Sequence, residues 1–210
     1  RPTFNGVSAG PVEDFDITNG STVPDENYAP MVTVLGSAVS YGGQYDMPVS
    51  VRVHVGAETI EPFGSYDLAL AGNVNKSGNP RKYVHPTIAT EDTPIWIDGR
   101  VWVKKQSSYS GAQESHWQQY AAFTSRPSTN QIKVLKNGDS VPNVAGFLNQ
   151  AAVETYLQSF VNTTSKKVTL KNNQTIYLFE FGSTSGASAD WQDLVVLVQS
   201  TNFRLEAFRI

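Results

Sequence analysis

A chain of 210 residues with 17% charged positions, 16 Lys and Arg against 19 Asp and Glu, and no cysteine is long enough for one large domain and needs no covalent staple. Its net charge of −3 offers no basic surface for a polyanion, which argues against nucleic acid as a partner. The missing cysteine removes disulfides, thiolate metal sites and cysteine nucleophiles together, and no apolar run reaches the ~18 residues of a membrane-spanning helix.

Residues 1–30 are rich in Gly, Pro, Asn and Asp, with Phe4, Val7, Val12, Phe15 and Ile17 as apolar anchors. This composition predicts an extended N-terminal segment that lies either along its own domain or on a neighbouring subunit. Phe4 and Val7 are the interface residues in the second case. Arg1 in place of Met leads us to expect a processed product, its targeting segment removed, with an extracellular or cell-surface location. Large extracellular domains do without disulfides, so the absence of cysteine does not oppose this. In that setting the Asn-x-Ser/Thr triplets at Asn19, Asn75, Asn162 and Asn173 are the glycosylation candidates.

Over 31–210 short apolar runs alternate with turn chemistry and predict a single β-domain. Val32–Val39, Val49–Val55 and Tyr66–Ala71 come first. Next, Ile95-Trp-Ile-Asp-Gly-Arg-Val-Trp-Val103 is read as a hairpin turning at Asp98-Gly99. That register sends Trp102 to the core beside Ile95 and Ile97, and sends Trp96 to the opposite face as an interface or ligand residue. Trp117–Phe123, Ile132–Leu135, Lys167–Leu170, Ile176–Phe181, Leu194–Val198 and Phe203–Phe208 follow. About ten strands at this spacing specify an all-β antiparallel sandwich or jelly roll. One short helix is expected: Asn149 caps a segment over 150–160 in which Val153, Tyr156, Leu157 and Phe160 form an apolar stripe, a lid across an open end or edge.

Catalytic chemistry is poorly represented. His54 shares a strand face with Arg52, His85 precedes a proline, and Glu114-Ser115-His116 is the one pairing suited to acid-base work on a strand face. Neither zinc spacing nor a G-x-S-x-G nucleophile occurs. Glu180 lies within an apolar strand, on the face of Ile176 and Leu178, without an identifiable partner. No enzyme activity, catalytic residue or required cofactor is therefore expected.

Carboxylates cluster at Glu13-Asp14-Phe15-Asp16 and at Asp190-Trp191-Gln192-Asp193. Either could supply oxygen ligands to Ca²⁺ or could cap turns through backbone N–H groups. The string Ala189-Asp-Trp-Gln-Asp-Leu-Val-Val196 resembles the D-[FY]-N-D-x-V-V segment of secreted bacterial β-sandwich domains of the choice-of-anchor and LruC-like type. The resemblance covers under a tenth of the chain, and Gln192 replaces the usual Asn. It implies an extracellular sandwich with Ca²⁺ at Asp190 and Asp193. Taken together, these features lead us to expect a structural or adhesive subunit of an extracellular assembly (filament, pilus-like fibre or matrix) built by strand complementation, and so a homo-oligomer or polymer. The alternative is a secreted glycan-binding module, favoured by the aromatic residues; a polysaccharide-active enzyme ranks below both.

Overall fold

A computed structural model describes residues 14–66, 74, 81–110, 113–142, 153–162, 164–186 and 189–201. The strands are β1 (Phe15–Thr18), β2 (Ser21–Pro24), β3 (Ala29–Gly36), β4 (Val49–Val55), β5 (Glu58–Ile60), β6 (Arg81–Val84), β7 (Ile95–Lys104), β8 (Trp117–Thr124), β9 (Ile132–Leu135), β10 (Val161–Asn162), β11 (Lys167–Val168), β12 (Gln174–Phe179) and β13 (Leu194–Thr201). Helix α1 (Val153–Leu157) precedes β10. A front sheet runs β1-β2-β7-β4-β5, with β8 also paired to β7, and a back sheet runs β6-β3-β13-β12-β9. Every pairing is antiparallel. The fold is thus all-β and sandwich-like. Among the described residues no helix is long and apolar enough to cross a membrane.

Strict alternation in β4 places Val49, Val51, Val53 and Val55 in the core while Arg52 and His54 stay half-exposed on the outer face. The back sheet differs because both its faces are covered. Tyr177, Phe179, Leu194, Val196 and Val198 fill the space between the sheets, whereas Ile176, Leu178, Val195 and Leu197 pack outward under Val153 and Leu157 of α1 and Val168 of the β10-β11 hairpin. Burial on both sides explains the nearly continuous apolar runs of β12 and β13. The expected lid therefore lies over a sheet face, not an end or edge; Asn149 falls outside the described residues.

The hairpin at Asp98-Gly99 does not form. β7 runs straight through it, pairing with all seven residues of β4 from Val55↔Ile95 to Val49↔Val101. Gly99 serves a different purpose. A Cβ there would meet Phe181 Cζ at 2.9 Å, with Phe179 Cδ1 and Leu194 Cδ2 both at 3.1 Å, so it marks a close approach of the two sheets. Without a turn, Trp96, Asp98, Arg100 and Trp102 share the outer face. Trp102 lies away from Ile95 and Ile97 and instead packs with Trp117 and Tyr45.

The N-terminal boundary also shifts. From Phe15, which is buried, the chain supplies β1, β2 and the start of β3. Residues 14–30 are therefore part of the sandwich, while 1–13, including Phe4 and Val7, lie outside the described residues. The β1-β2 turn is Asn19-Gly20, with φ of 49° and 76°, the left-handed pair of a two-residue hairpin. A buried polar knot fastens this hairpin to the back sheet. The Thr22 N–H donates to the Tyr177 hydroxyl at 2.9 Å, which donates to the Ile95 carbonyl at 3.1 Å, and Thr22 Oγ1 lies 2.6 Å from Thr175 Oγ1. Burial raises the Tyr177 phenol above its ordinary range.

Candidate functional site

Three regions outside the inter-sheet core carry chemistry. The first is the outer face of the front sheet. Cross-strand pairing sets His54 beside Trp96 and Arg52 beside Asp98. The His54 and Trp96 rings stack with centroids 4.5 Å apart and planes 2° from parallel, and the Arg126 guanidinium lies 4.9 Å from the Trp96 centroid. His54 Nε2 lies 2.8 Å from Asp98 Oδ2 and its Nδ1 lies 3.1 Å from Thr59 Oγ1. Both contacts are satisfied when Nε2–H donates to Asp98 and the Thr59 hydroxyl donates to Nδ1. Arg52 donates to Glu61 at 2.8 Å, and the Arg52 and Arg100 guanidinium carbons lie 4.1 and 4.0 Å from the Tyr66 ring centroid. This face is a ladder of polar and aromatic side chains that largely satisfy one another. Trp96, half-buried, is stacked by its own chain.

The second region is the turn joining β12 to β13. Because Phe179 pairs with Leu194, Glu180 faces Asp193. Oxygen atoms of Glu180, Asp190 and Asp193, all buried, lie within 4.8 Å of one another. This is the only group of three or more potential metal ligands among the described residues. Glu180 Oε1 accepts from Gly182 N at 2.9 Å, and Oε2 accepts from Asp190 N at 3.1 Å and Trp191 N at 3.3 Å. Asp193 Oδ2 accepts from Phe181 N at 2.6 Å, and Gln192 Nε2 donates to Asp190 Oδ2 at 2.7 Å. The acids therefore clamp the turn, including Trp191 at a left-handed φ of 61°, a position costly for so bulky a residue. Burial pushes the Glu180 carboxyl up against the opposing pull of the Gly182 and Trp191 N–H groups. Burial, then the neighbouring Glu180, pushes Asp193 well above the usual carboxylate range. Mutual repulsion in such a cluster is relieved by a proton shared between carboxyls, and a divalent cation such as Ca²⁺ can relieve it as well. At least four of its six carboxylate oxygens already accept N–H donors.

The third region is β8 and the aromatic end beside it. β8 reads Trp-Gln-Gln-Tyr-Ala-Ala-Phe-Thr, and among the described residues it pairs with β7 alone. Tyr120 is 54% exposed and sits at the irregularity where pairing jumps from Val101↔Ala121 to Trp102↔Gln119. Nearby, Tyr41, 45% exposed, stacks on Tyr45 at 5.6 Å, and Tyr45 meets Trp117 edge-on at 6.0 Å. Glu114 and His116, expected on one strand face, instead lie in a single 3₁₀ turn where His116 stacks on Tyr109 at 4.2 Å.

Of the glycosylation candidates, Asn162 is exposed and its side-chain oxygen accepts from Thr164 N and Ser165 N. Asn19 is exposed in its turn, accepting from Ser128 N. Asn173 Nδ2 donates to the Ser200 carbonyl, and the hydroxyl-bearing Thr175 of its triplet is fully buried. Asn75 and Glu13 lie outside the described residues. Comparisons with protein-family models, curated proteins and solved structures found no match.

Proposed function

We propose that this chain is a structural or adhesive subunit of an extracellular assembly, in which copies join by adding strands to one another's sheets. The observation that carries the reading is the contrast among sheet edges. β1, β5, β6 and β9 have three or four residues each and carry Asp16, Glu58, Arg81 with Lys82, and Lys133 respectively. β8 has eight residues and no charge or proline. Short, charged strands are the ordinary protection of an edge against pairing with another chain. Among the described residues β8 has no partner on its other edge and only its local irregularity for protection, so that edge is suited to receive a strand. The role requires no catalytic group.

Light scattering and electron microscopy of the purified protein over a range of concentrations test the reading. The wild type is expected to self-associate. Tyr120→Lys and Ala122→Lys, at exposed positions that cost the fold at most about 0.5 kcal/mol, are expected to remain folded and monomeric. A wild type that stays monomeric throughout refutes the proposal.

Tyr41 supports a second reading, glycan binding, because its exposed ring backed by Tyr45 is a flat platform of the kind that stacks on a pyranose. That reading predicts a change in tryptophan fluorescence on titration with oligosaccharides, lost in Tyr41→Ala.

A further inference from the structure

Building on the assembly reading, we infer that the strand received by β8 is β8 of a second copy of this chain, antiparallel and related by a two-fold axis. In such a contact the strand meets its own sequence, so the edge must be self-complementary. Like charges placed opposite one another destabilise a strand pair. On β5, β6 or β9 a symmetric pair would bring Glu58, Arg81 and Lys82, or Lys133 towards their own copies. β8 presents none in any register.

Its exposed residues go further than neutrality. Gln118 and Gln119 are exposed, and a carboxamide is both donor and acceptor, so it can hydrogen-bond an identical group where a carboxylate or an ammonium cannot. Tyr120 is an exposed aromatic ring beside them, and stacked glutamines and aromatics are the side chains that reinforce pairing between identical strands. Antiparallel pairing also continues the alternation of strand direction that runs through the front sheet. A two-fold contact is closed at two copies, so a fibre would be a chain of such pairs joined by a second contact elsewhere.

The chain's lack of cysteine makes the test clean. Full-length Gln118→Cys, Gln119→Cys, Tyr120→Cys, Ala121→Cys and Ala122→Cys are oxidised at a concentration where wild-type association has been measured by light scattering. Thr59→Cys on the opposite edge reports random collision, and circular dichroism confirms that each variant is folded. A disulfide needs Cα atoms about 4.4–6.8 Å apart. Residues at or next to the two-fold axis are therefore expected to cross-link at least tenfold faster than Thr59→Cys, with yields falling away on both sides. Self-association with every β8 position cross-linking no faster than Thr59→Cys overturns the β8-to-β8 contact while leaving the assembly reading standing. A monomeric wild type overturns both.

Discussion

Asp193→Asn is expected to stabilise the protein at neutral pH and to flatten the dependence of its melting temperature on pH. In the folded chain, burial and the adjacent Glu180 hold a proton on Asp193 well above the usual range. The unfolded chain releases that proton near pH ~3.9. Between the two values the native state binds more protons than the unfolded one, so stability falls as pH rises. The contribution is complete below the unfolded value and lost by the folded one. The slope reaches at most about 1.4 kcal/mol per pH unit for one proton, or about 3–5 °C per unit in a chain of this size. Glu180, also raised by burial, titrates with Asp193, so the slope belongs to the pair. Asparagine keeps an oxygen for the Phe181 N–H and supplies an amide donor towards Glu180 without needing a proton. Calorimetry in chelator between pH 4.5 and 7.5 should show the wild-type melting temperature falling, and the variant flatter and higher-melting at pH 7.5. A wild type that gains stability with pH, with a variant lower throughout, would refute the shared-proton account. Calcium is the specific competitor. At a hundredfold excess over Kd, a bound ion would add about 2.7 kcal/mol, and a calcium-dependent rise that vanishes in Asp193→Asn would place a cation between the acids.

Gly99→Ala should destabilise the chain by about 1–3 kcal/mol, because the new methyl group meets Phe179, Phe181 and Leu194; an unchanged denaturation midpoint would contradict the close approach of the sheets. Tyr177→Phe removes the buried hydroxyl that bonds both the Thr22 N–H and the Ile95 carbonyl, so urea unfolding should register a loss of about 1–3 kcal/mol. Trp102→Ala should cost about 3–5 kcal/mol through lost burial. Trp96→Ala, losing mainly its stack on His54, should cost about 0.5–1.5 kcal/mol, and equal losses for the two would refute this division.

Alternation and turn chemistry made the sandwich legible: β4 and β9 lie where the apolar runs lie, residue for residue. The two-residue turns were not legible: one was expected at Asp98-Gly99, where none forms, and the one at Asn19-Gly20 was passed over within an extended segment. Asp98-Gly99 and Asn19-Gly20 carry the same local signal, yet only the second turns, because β4 offers β7 a seven-residue partner and the back-sheet side chains reward a missing Cβ at Gly99. Those are non-local facts. In the acid cluster, Asp190 and Asp193 stood out as a string, whereas Glu180 lacked a partner until β12 and β13 were paired. Reading the two consecutive apolar strands as antiparallel neighbours would have brought Glu180 to the same end as Asp193, but the register that sets them opposite is not in the letters. The neutrality of β8 is visible in its letters, but its place at an edge is not.

The back sheet is a poor place to attach another copy. Its faces are closed by the front sheet on one side and by α1 with the β10-β11 hairpin on the other. Both its edges, β6 and β9, are short and carry lysine. The front sheet has a different geometry. β2 and β8 share one side of β7, with β2 held at Ile95 and β8 along Asp98–Lys104. β7 is also anchored along its other side by β4. A strand added to β8 would therefore pull on a ladder backed by the most extensively paired strand of the front sheet. An uncharged edge backed in this way suits a contact between copies better than exposed apolar residues alone, because backbone pairing fixes register and direction together.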